Sequence, residues 1–294
     1  MMESKKTGTR GYYVRRLIHH REKVAMAIGL VVVALFLVFS IFAESISPYN
    51  PNAITSDILS PPSGEHWMGT DIVGRDVFSR TVFGTRASMY VAFLAVGLAS
   101  SLGSVLGITS GYLSGRSLEL LDRAISVIMD TLYSFPLFIL AAIMAAMLGR
   151  STFNIAIAAA VVSIPSYFRV VRSITLTVKE LPFIEAERAV GAGTRRIVFR
   201  HILPYCLPSI AAVMSMGAAE AILTIGGLGF LGLGIPPPTP EWGGDLNLGR
   251  QVTLLGSWWP TLFPGLMIFL AILSFNVIGE SIELILRQSK KAQG

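Results

Sequence analysis

The chain has 294 residues, of which 52% are hydrophobic and 14% are charged, and its formal net charge is +6. Its mean hydropathy is +0.63. Uncharged runs recur that are long enough to cross a hydrocarbon core, for which a helix needs about 20 residues. These values exclude a soluble multidomain protein and predict an all-α membrane protein. The single cysteine, Cys206, cannot form an intrachain disulfide and is expected to be a small packed residue.

Apolar runs in chain order predict six transmembrane helices. The first run, 24–43, is longer than the apolar part of a signal peptide and ends in no typical cleavage site, so it is expected to remain as a span. Only Gly149, Arg150 and Ser151 separate the third run from the fourth, which predicts a tight hairpin. The remaining spans are expected near 87–115, 125–148, 152–168, 205–231 and 258–279.

The positions of lysine and arginine predict the orientation. Seven such residues precede Val24 and seven more lie between Arg169 and Arg200, and both segments fall on one side of a six-span chain. Because cytoplasmic loops are enriched in these residues, that side and both termini are expected to be cytoplasmic. The opposite loops, 44–86 and 235–257, contain no lysine. Topology thus explains the positive net charge without a nucleic-acid partner.

These expectations divide the chain into five parts. They are a cytoplasmic N-terminal segment, a first span, an extracytoplasmic loop, a five-helix core and a cytoplasmic tail: 1–23, 24–43, 44–86, 87–284 and 285–294.

The cytoplasmic loop of the core, 173–204, contains the charged stretch FIEAERAVGAGTRRIVFRHILP. Three features predict two short helices joined by a glycine hinge. They are the helical alternation before Gly191, the apolar side formed by Ile197 and Val198, and Thr194 as a cap of the second helix. At the hinge we expect Gly191 to need a positive φ or a close backbone approach. On composition alone, a solvated amphipathic linker is the alternative.

The extracytoplasmic loop contains two turn sequences, Gly-Thr-Asp ending at Asp71 and Gly-Arg-Asp ending at Asp76. Asp76 is expected to cap a helix that leads toward the second span. A metal site formed by His66, Asp71 and Asp76 would match no familiar ligand spacing, so none is predicted.

Two acidic residues, Asp130 and Glu220, fall inside predicted spans. Because a charge in hydrocarbon costs several kcal/mol, such residues normally face protein or a water-filled path. Asp130 is expected either to pair with a basic residue near the cytoplasmic interface or to line a path. For Glu220 the alternatives are an interhelical contact and a path lining.

Small residues and prolines recur in the spans. Glycine lets helices approach closely and proline allows a bend, so these positions are expected to shape the helix packing. They are Gly97, Gly103, Gly107, Gly111, Gly217, Pro136, Pro165, Pro208 and Pro264.

Enzymatic motifs are missing from the sequence. The chain contains no Gly-Lys pair and therefore no phosphate-binding loop of the G-x-x-x-x-G-K-[ST] type, and it contains no His-Glu-x-x-His zinc motif. A secondary transporter is the alternative from another class, but it would usually show internal repeats, and none is evident.

Three stretches resemble one family. The charged stretch is similar to the cytoplasmic coupling motif of ABC-importer permeases, in which the matching residues follow in the order Glu185-Ala186, Gly191 and Ile202-Leu203-Pro204. Two other segments resemble signature segments of the second, six-span permease type of dipeptide and oligopeptide importers. They are PPSGEHWMGTDIVGRDVFSRTVFGTRASM, from Pro61, and LGFLGLGIPPPTPEWGGDL, from Leu228.

This resemblance implies a type I ABC importer permease fold. It also implies a second permease, two ATP-binding subunits that hold ATP and Mg²⁺, an extracytoplasmic binding protein and membrane lipid as partners. Peptides are the expected cargo, with nickel chelates or oligosaccharides as alternatives.

The resemblance further implies roles for particular residues. The residues expected to couple to the ATPase are Phe183, Glu185, Ala186, Glu187, Ala189, Gly191, Ala192 and Arg195. The face expected to dock the binding protein includes Asp71, Arg75, Asp76, Pro238 and Trp242.

The sequence departs from the family pattern at a few positions. Glu187 stands where alanine is usual, and the coupling motif is expected to tolerate it if it faces solvent. Gly229 stands where many relatives have serine, and an acid usual near Thr224 or Ile225 is missing, so the lining of the fifth span is less defined.

Overall fold

A computed structural model describes residues 4–115 and 118–293, with side chains described for 22–115 and 118–286. Its elements follow the chain as α-helices with one π-helical turn between α8 and α9. Their bounds are α1 Ser4–Ile41, α2 Ala43–Ile46, α3 Val77–Leu113, α4 Glu119–Ser134, α5 Leu137–Leu148, α6 Thr152–Val178, α7 Pro182–Ala189, α8 Thr194–Ile197, the π turn Val198–Ile202, α9 Leu203–Phe230, α10 Trp242–Thr253 and α11 Trp259–Gln293.

Within the described residues, five single helices are long and apolar enough to cross a membrane, and the α4–α5 pair adds a sixth span if it is counted as one. The all-helical, six-span prediction is therefore confirmed with one difference. The predicted third span is two helices that meet at 94°. The break falls at Phe135 and Pro136, where proline cannot donate the next helical hydrogen bond.

The contact between α3 and α6 is built on glycine. Gly103, Gly107 and Gly111 recur every four residues on one face of α3, and a Cβ at each would lie 2.8 to 3.0 Å from a backbone carbonyl oxygen of α6. Those oxygens belong to Ile164, Phe168 and Arg172 respectively. The missing side chains thus let the two backbones touch over more than two helical turns.

The other predicted packing glycines differ. A Cβ at Gly217 of α9 would meet the Tyr167 hydroxyl, which confirms close packing there. For Gly97 the prediction is wrong, because its position in α3 is exposed and has no neighbouring atom within 4 Å of a Cβ.

An alanine-rich core joins α1, α9 and α11 to the α3–α6 pair. Buried Ala218, Ala219 and Ile222 of α9 pack in the same cluster as Phe275 of α11 and Phe36 of α1. Small residues on the inner helix allow large apolar residues of the two outer helices to pack against it without voids.

Replacing Gly107 with valine is expected to destabilise the assembled protein by about 1 to 3 kcal/mol, because a Cβ there would overlap the Phe168 carbonyl and the backbones would have to separate. The matched control is Gly97→Val in the same helix, where there is open space. Thermal inactivation of the detergent-solubilised protein measures both. Equal melting temperatures for the two variants would contradict the glycine contact.

Candidate functional site

The charged loop folds as a helical hairpin. We use the term coupling hairpin for residues 182–202, which include α7, α8 and the π turn. Pro182 occupies the first turn of α7, where its missing N–H costs no helical hydrogen bond. The two predicted short helices and the break between them are therefore confirmed.

Gly191 closes α7 in a left-handed conformation, with a φ of +85°. Its N–H donates to the Arg188 carbonyl and the N–H of Ala192 donates to the Glu187 carbonyl, each at 2.9 Å. This pair of bonds is the Schellman arrangement, which favours glycine at this position. Of the two alternatives for Gly191, positive φ is the one observed, since no atom lies within 4 Å of a Cβ built there.

An apolar base fixes the coupling hairpin to the membrane helices. Ile184, Ile197 and Ile202 are at most 1% exposed and pack in one cluster with Val178 of α6 and Cys206 of α9. The cysteine is thus a packed core residue, as predicted. Because every element of the hairpin contributes to this cluster, the hairpin is expected to move with α6 and α9 as one body.

Most of the predicted coupling residues lie on the outer side of the coupling hairpin. The exposed ones are Phe183, Glu185, Ala186, Ala189, Gly191 and Arg195, and the partly buried ones are Glu187 and Ala192.

Glu187 turns inward, so the condition under which the coupling motif was expected to tolerate it, exposure to solvent, is not met. Its side chain is 22% exposed and lies 3.4 Å from the Arg196 guanidinium and 3.3 Å from the His201 imidazole. The acid therefore joins α7 to α8 and the π turn. Thr194 differs from expectation as well, because Gly193 takes the N-cap position and Thr194 is the first residue of α8.

Replacing Gly191 with alanine is expected to strain the turn by about 1 kcal/mol or more, because a Cβ resists a positive φ. The result should be less co-purified ATPase and lower substrate uptake at an unchanged level in the membrane, since no span is altered. Gly193→Ala is the matched control, because Gly193 is also exposed but has an ordinary φ of −69°. If both variants show normal assembly and uptake, the segment is a solvated linker.

On the opposite side of the molecule, loop 44–86 and α10 form a compact polar unit. The Arg80 guanidinium donates to the Asp245 carboxylate at 2.9 Å through Nε, and both side chains are less than 10% exposed.

Asp76 caps α3 by accepting from the Ser79 N–H at 2.7 Å, as predicted. The Asp76 carboxylate also contacts His66 at 2.8 Å, and Asp71 pairs with Arg75 at 2.7 Å.

Asp71 and Asp76, the acids of the metal site that was considered and not predicted, thus both have partners within the protein. Across residues 22–115 and 118–286, no three His, Cys, Asp or Glu side chains are grouped so as to hold a metal ion.

Helix α10 is anchored by buried groups. Glu241 accepts from the N–H groups of Gly243 and Gly244 at 2.6 and 2.8 Å, and burial raises the pKa of its carboxyl to about 8 against the lowering effect of those two bonds. The Trp242 indole donates to the Thr81 carbonyl of α3 at 2.9 Å. A Cβ at Gly229 would lie 2.2 Å from the Glu241 carboxylate, so glycine at that position makes room for the acid.

The predicted docking residues are mostly inside this unit. Asp71, Arg75, Asp76 and Trp242 are 0 to 6% exposed, and of the five only Pro238 lies on the surface. The expectation that the four side chains present a docking face is therefore corrected. They support the outer surface from within, and docking on that surface stays a prediction.

Asp245→Asn is expected to lower the free energy of unfolding by about 3 kcal/mol, the low end for breaking a buried ion pair, because the buried Arg80 guanidinium loses its closer carboxylate and keeps only Asp71 at 3.9 Å. Glu44→Gln is the matched control, since the Arg86–Glu44 pair is 38% and 76% exposed and such pairs contribute at most about 1 kcal/mol. Melting temperatures in detergent distinguish the two. Equal small shifts would contradict a structural role for the buried pair.

Comparison with known proteins identifies the family. A family model described as the inner membrane component of binding-protein-dependent transport systems matches residues 103–290. The chain belongs to this permease family. A second model, described as the N-terminal transmembrane domain of oligopeptide transport permease C, matches residues 13–62 of the permease.

Curated relatives cover most of this permease. It is 42% identical over 267 residues to the dipeptide transport system permease DppC of Alkalihalophilus pseudofirmus, covering 89% of this chain and 84% of the relative. It is 40% identical over 264 residues to the glutathione transport system permease GsiD of Pectobacterium atrosepticum, covering 89% and 86%. The resemblance found in the sequence is thus confirmed.

A solved structure confirms the fold of the permease. An inward-facing structure of the MetNI methionine ABC transporter matches with a TM-score of 0.54 and 19% identity, over 70% of this permease and 97% of that chain.

The two acids within the spans of the permease differ in their surroundings. Asp130 of α4 pairs with Arg169 of α6 at 2.8 Å, which confirms the expected basic partner. Glu220 lies in the middle of α9 and is partly buried. No local pattern marked Arg169 as the partner of Asp130, because the two residues are 39 positions apart.

Proposed function

We propose that this permease forms one half of a translocation path for peptides, with a second permease as the other half. Two ATP-binding subunits would drive it from the cytoplasmic side, and an extracytoplasmic binding protein would deliver the peptide. The observation that carries the proposal is the coupling hairpin, which combines an exposed outer side with a base buried against α6 and α9.

Partner ATPases are inferred first from the sequence. No phosphate-binding loop occurs in the 294 residues, so the energy of ATP must enter through another protein. A protruding element that is rigidly joined to two spanning helices is suited to receive the movement of an ATPase, since rigid bodies transmit displacement without loss to local bending. The contacts of Glu187 with Arg196 and His201 support the same interpretation, because they join α7 to the segment that enters α9.

The names of the relatives favour peptides as the cargo. The printed names of proteins about 40% identical to this permease over most of its length include dipeptide, D,D-dipeptide and glutathione transport systems. These solutes share a peptide backbone and charged ends. Peptides are therefore favoured over nickel chelates and oligosaccharides.

The orientation is inferred from charge. The N-terminal segment 1–23 and the loop 173–204 hold twelve lysines and arginines, and the proposal places both of them and both termini in the cytoplasm. The polar unit of loop 44–86 and α10 would then face outward, where a binding protein can dock.

Reconstitution tests the cargo. The permease is assembled with its partner permease, two ATPase subunits and binding protein in proteoliposomes, and uptake of a radiolabelled dipeptide is measured. We expect ATP-dependent uptake that requires the binding protein and that excess unlabelled dipeptide abolishes, whereas a nickel chelate and an oligosaccharide do not compete. Uptake of either of those solutes, without uptake of the dipeptide, would overturn the peptide assignment.

A further inference from the structure

Two polar stripes face each other between α4 and α6. On α4, Asp122, Ser126 and Asp130 recur every four residues, which places them on one side of the helix. On α6, the stripe consists of Arg169, Arg172, Ser173 and Thr177. Between them lies a groove of about 390 Å³, lined by Ser126, Asp130, Phe168, Arg169, Arg172, Ser173, Leu176 and Thr177.

One ion pair beside the groove is largely buried. Asp122 is 5% exposed, accepts from the Arg172 guanidinium at 3.0 Å, and is also hydrogen-bonded to the Ser110 hydroxyl of α3. This pair joins three helices and is held on several sides. Its surroundings indicate a structural role.

The second ion pair, farther into the membrane helices, is open. The side chains of Asp130 and Arg169 are 62% and 44% exposed, although their charged atoms are 2.8 Å apart. The guanidinium also lies over the Tyr133 ring, 3.7 Å from its centre. Tyr133 is in the last turn of α4, where the free carbonyl groups favour a cation. The Tyr133 ring and the end of α4 therefore favour a cation here, while one side of the pair stays accessible.

The position of this pair makes its exposure informative. Arg169 directly follows the apolar run 152–168 and is roughly 14 Å along α6 from Val178, at 1.5 Å per residue. A charged pair against lipid costs several kcal/mol, so such groups normally face protein or water. The exposed side of the pair is therefore expected to face water or another polar surface.

We propose that the α4–α6 groove is a peptide-contacting part of the translocation path, in which Arg169 receives the carboxylate end and Asp130 the ammonium end of a short peptide. This inference rests on the proposed function and names the residues that recognise its substrate class. Ser126, Ser173 and Thr177 supply hydroxyl groups for the peptide amides.

The charges favour a zwitterion over other solutes. When a peptide enters, Arg169 exchanges the Asp130 carboxylate for the carboxylate of the peptide, and Asp130 exchanges the guanidinium for the ammonium group of the peptide. Neither charged side chain is then left unpaired. A neutral sugar would separate the pair without replacing either charge, at a cost of several kcal/mol. The ends of a dipeptide are roughly 7 Å apart, so the exposed guanidinium must swing away from Asp130 to admit it.

Thiol accessibility tests whether the groove is wet and occupied. Cys206 is first replaced by serine, and Ser173→Cys is introduced into the assembled transporter without nucleotide. We expect a charged thiol reagent to modify this site and the dipeptide Ala-Ala to slow the reaction. N-acetylated and C-amidated Ala-Ala should protect less. Phe269→Cys is the control, because Phe269 is 58% exposed in an apolar part of α11 and should not react.

Charge variants test the recognition itself. Asp130→Asn and Arg169→Gln are each expected to lower dipeptide uptake about tenfold or more, the effect of losing one charge-assisted hydrogen bond, while ATPase activity stays within about twofold. The exchange Asp130→Arg with Arg169→Asp should remain inactive, because the peptide would meet reversed charges. Full recovery of uptake by the exchange would show that the pair only joins two helices, and would overturn the proposal.

The remaining outcomes separate this inference from the proposed function. If the unmodified transporter takes up no peptide, the cargo assignment fails, whatever the thiol reagent shows. If uptake is normal but Ser173→Cys does not react, the groove is closed and the inference alone fails. Protection of Ser173→Cys by phosphatidylglycerol vesicles without peptide would assign the groove to a lipid headgroup and would also overturn it.

Discussion

The glycine contact between α3 and α6 is the constraint on which the rest of the molecule depends. Gly103, Gly107 and Gly111 bring the two backbones together, and each helix then continues into a different functional unit. Helix α3 starts in the polar unit of loop 44–86 and α10, where Asp76 caps it and Arg80 pairs with Asp245. Helix α6 ends at the coupling hairpin. A single rigid pair of helices therefore connects the two ends of the permease.

This connection gives a physical route for coupling. The hairpin is fixed to α6 and α9 through Ile184, Ile197 and Ile202, all of them almost fully buried. A displacement applied to its outer side would therefore move the spans as a body. The bent α4–α5 pair is different, since α4 contacts α6 through two ion pairs beside a polar groove as well as through an apolar cluster around Met129. Packed apolar contacts transmit the movement, and the groove lies next to helices that move.

Local patterns in the sequence predicted much of this architecture. Hydropathy gave the spans, Asp76 was recognisable as a cap from its own turn, and the spacing around Gly191 predicted the hinge of the hairpin. Each of these features depends on residues that are close in sequence. The sharp break at Pro136 could not be predicted in the same way, because a proline near a span end allows a bend without setting its angle.

Features that depend on distant residues were missed. Arg80 and Asp245 are 165 positions apart, and nothing in either segment indicates the other. The docking prediction failed for the same reason, since polar residues such as Asp71 and Arg75 look exposed until their partners are known. The inward turn of Glu187 was not predicted, because Arg196 and His201 lie beyond the glycine hinge and only the fold brings them to it.

We propose that the outer side of the coupling hairpin contacts the ATPase subunit. Cysteine crosslinking of the assembled transporter tests this contact most directly, with Ala189→Cys on the exposed side of α7 and Leu254→Cys, 96% exposed beyond α10, as the control. We expect a crosslinked product of the permease and an ATPase subunit for Ala189→Cys alone. Free reaction of Ala189→Cys with a bulky maleimide in the complete transporter, without any crosslink to the ATPase, would contradict it.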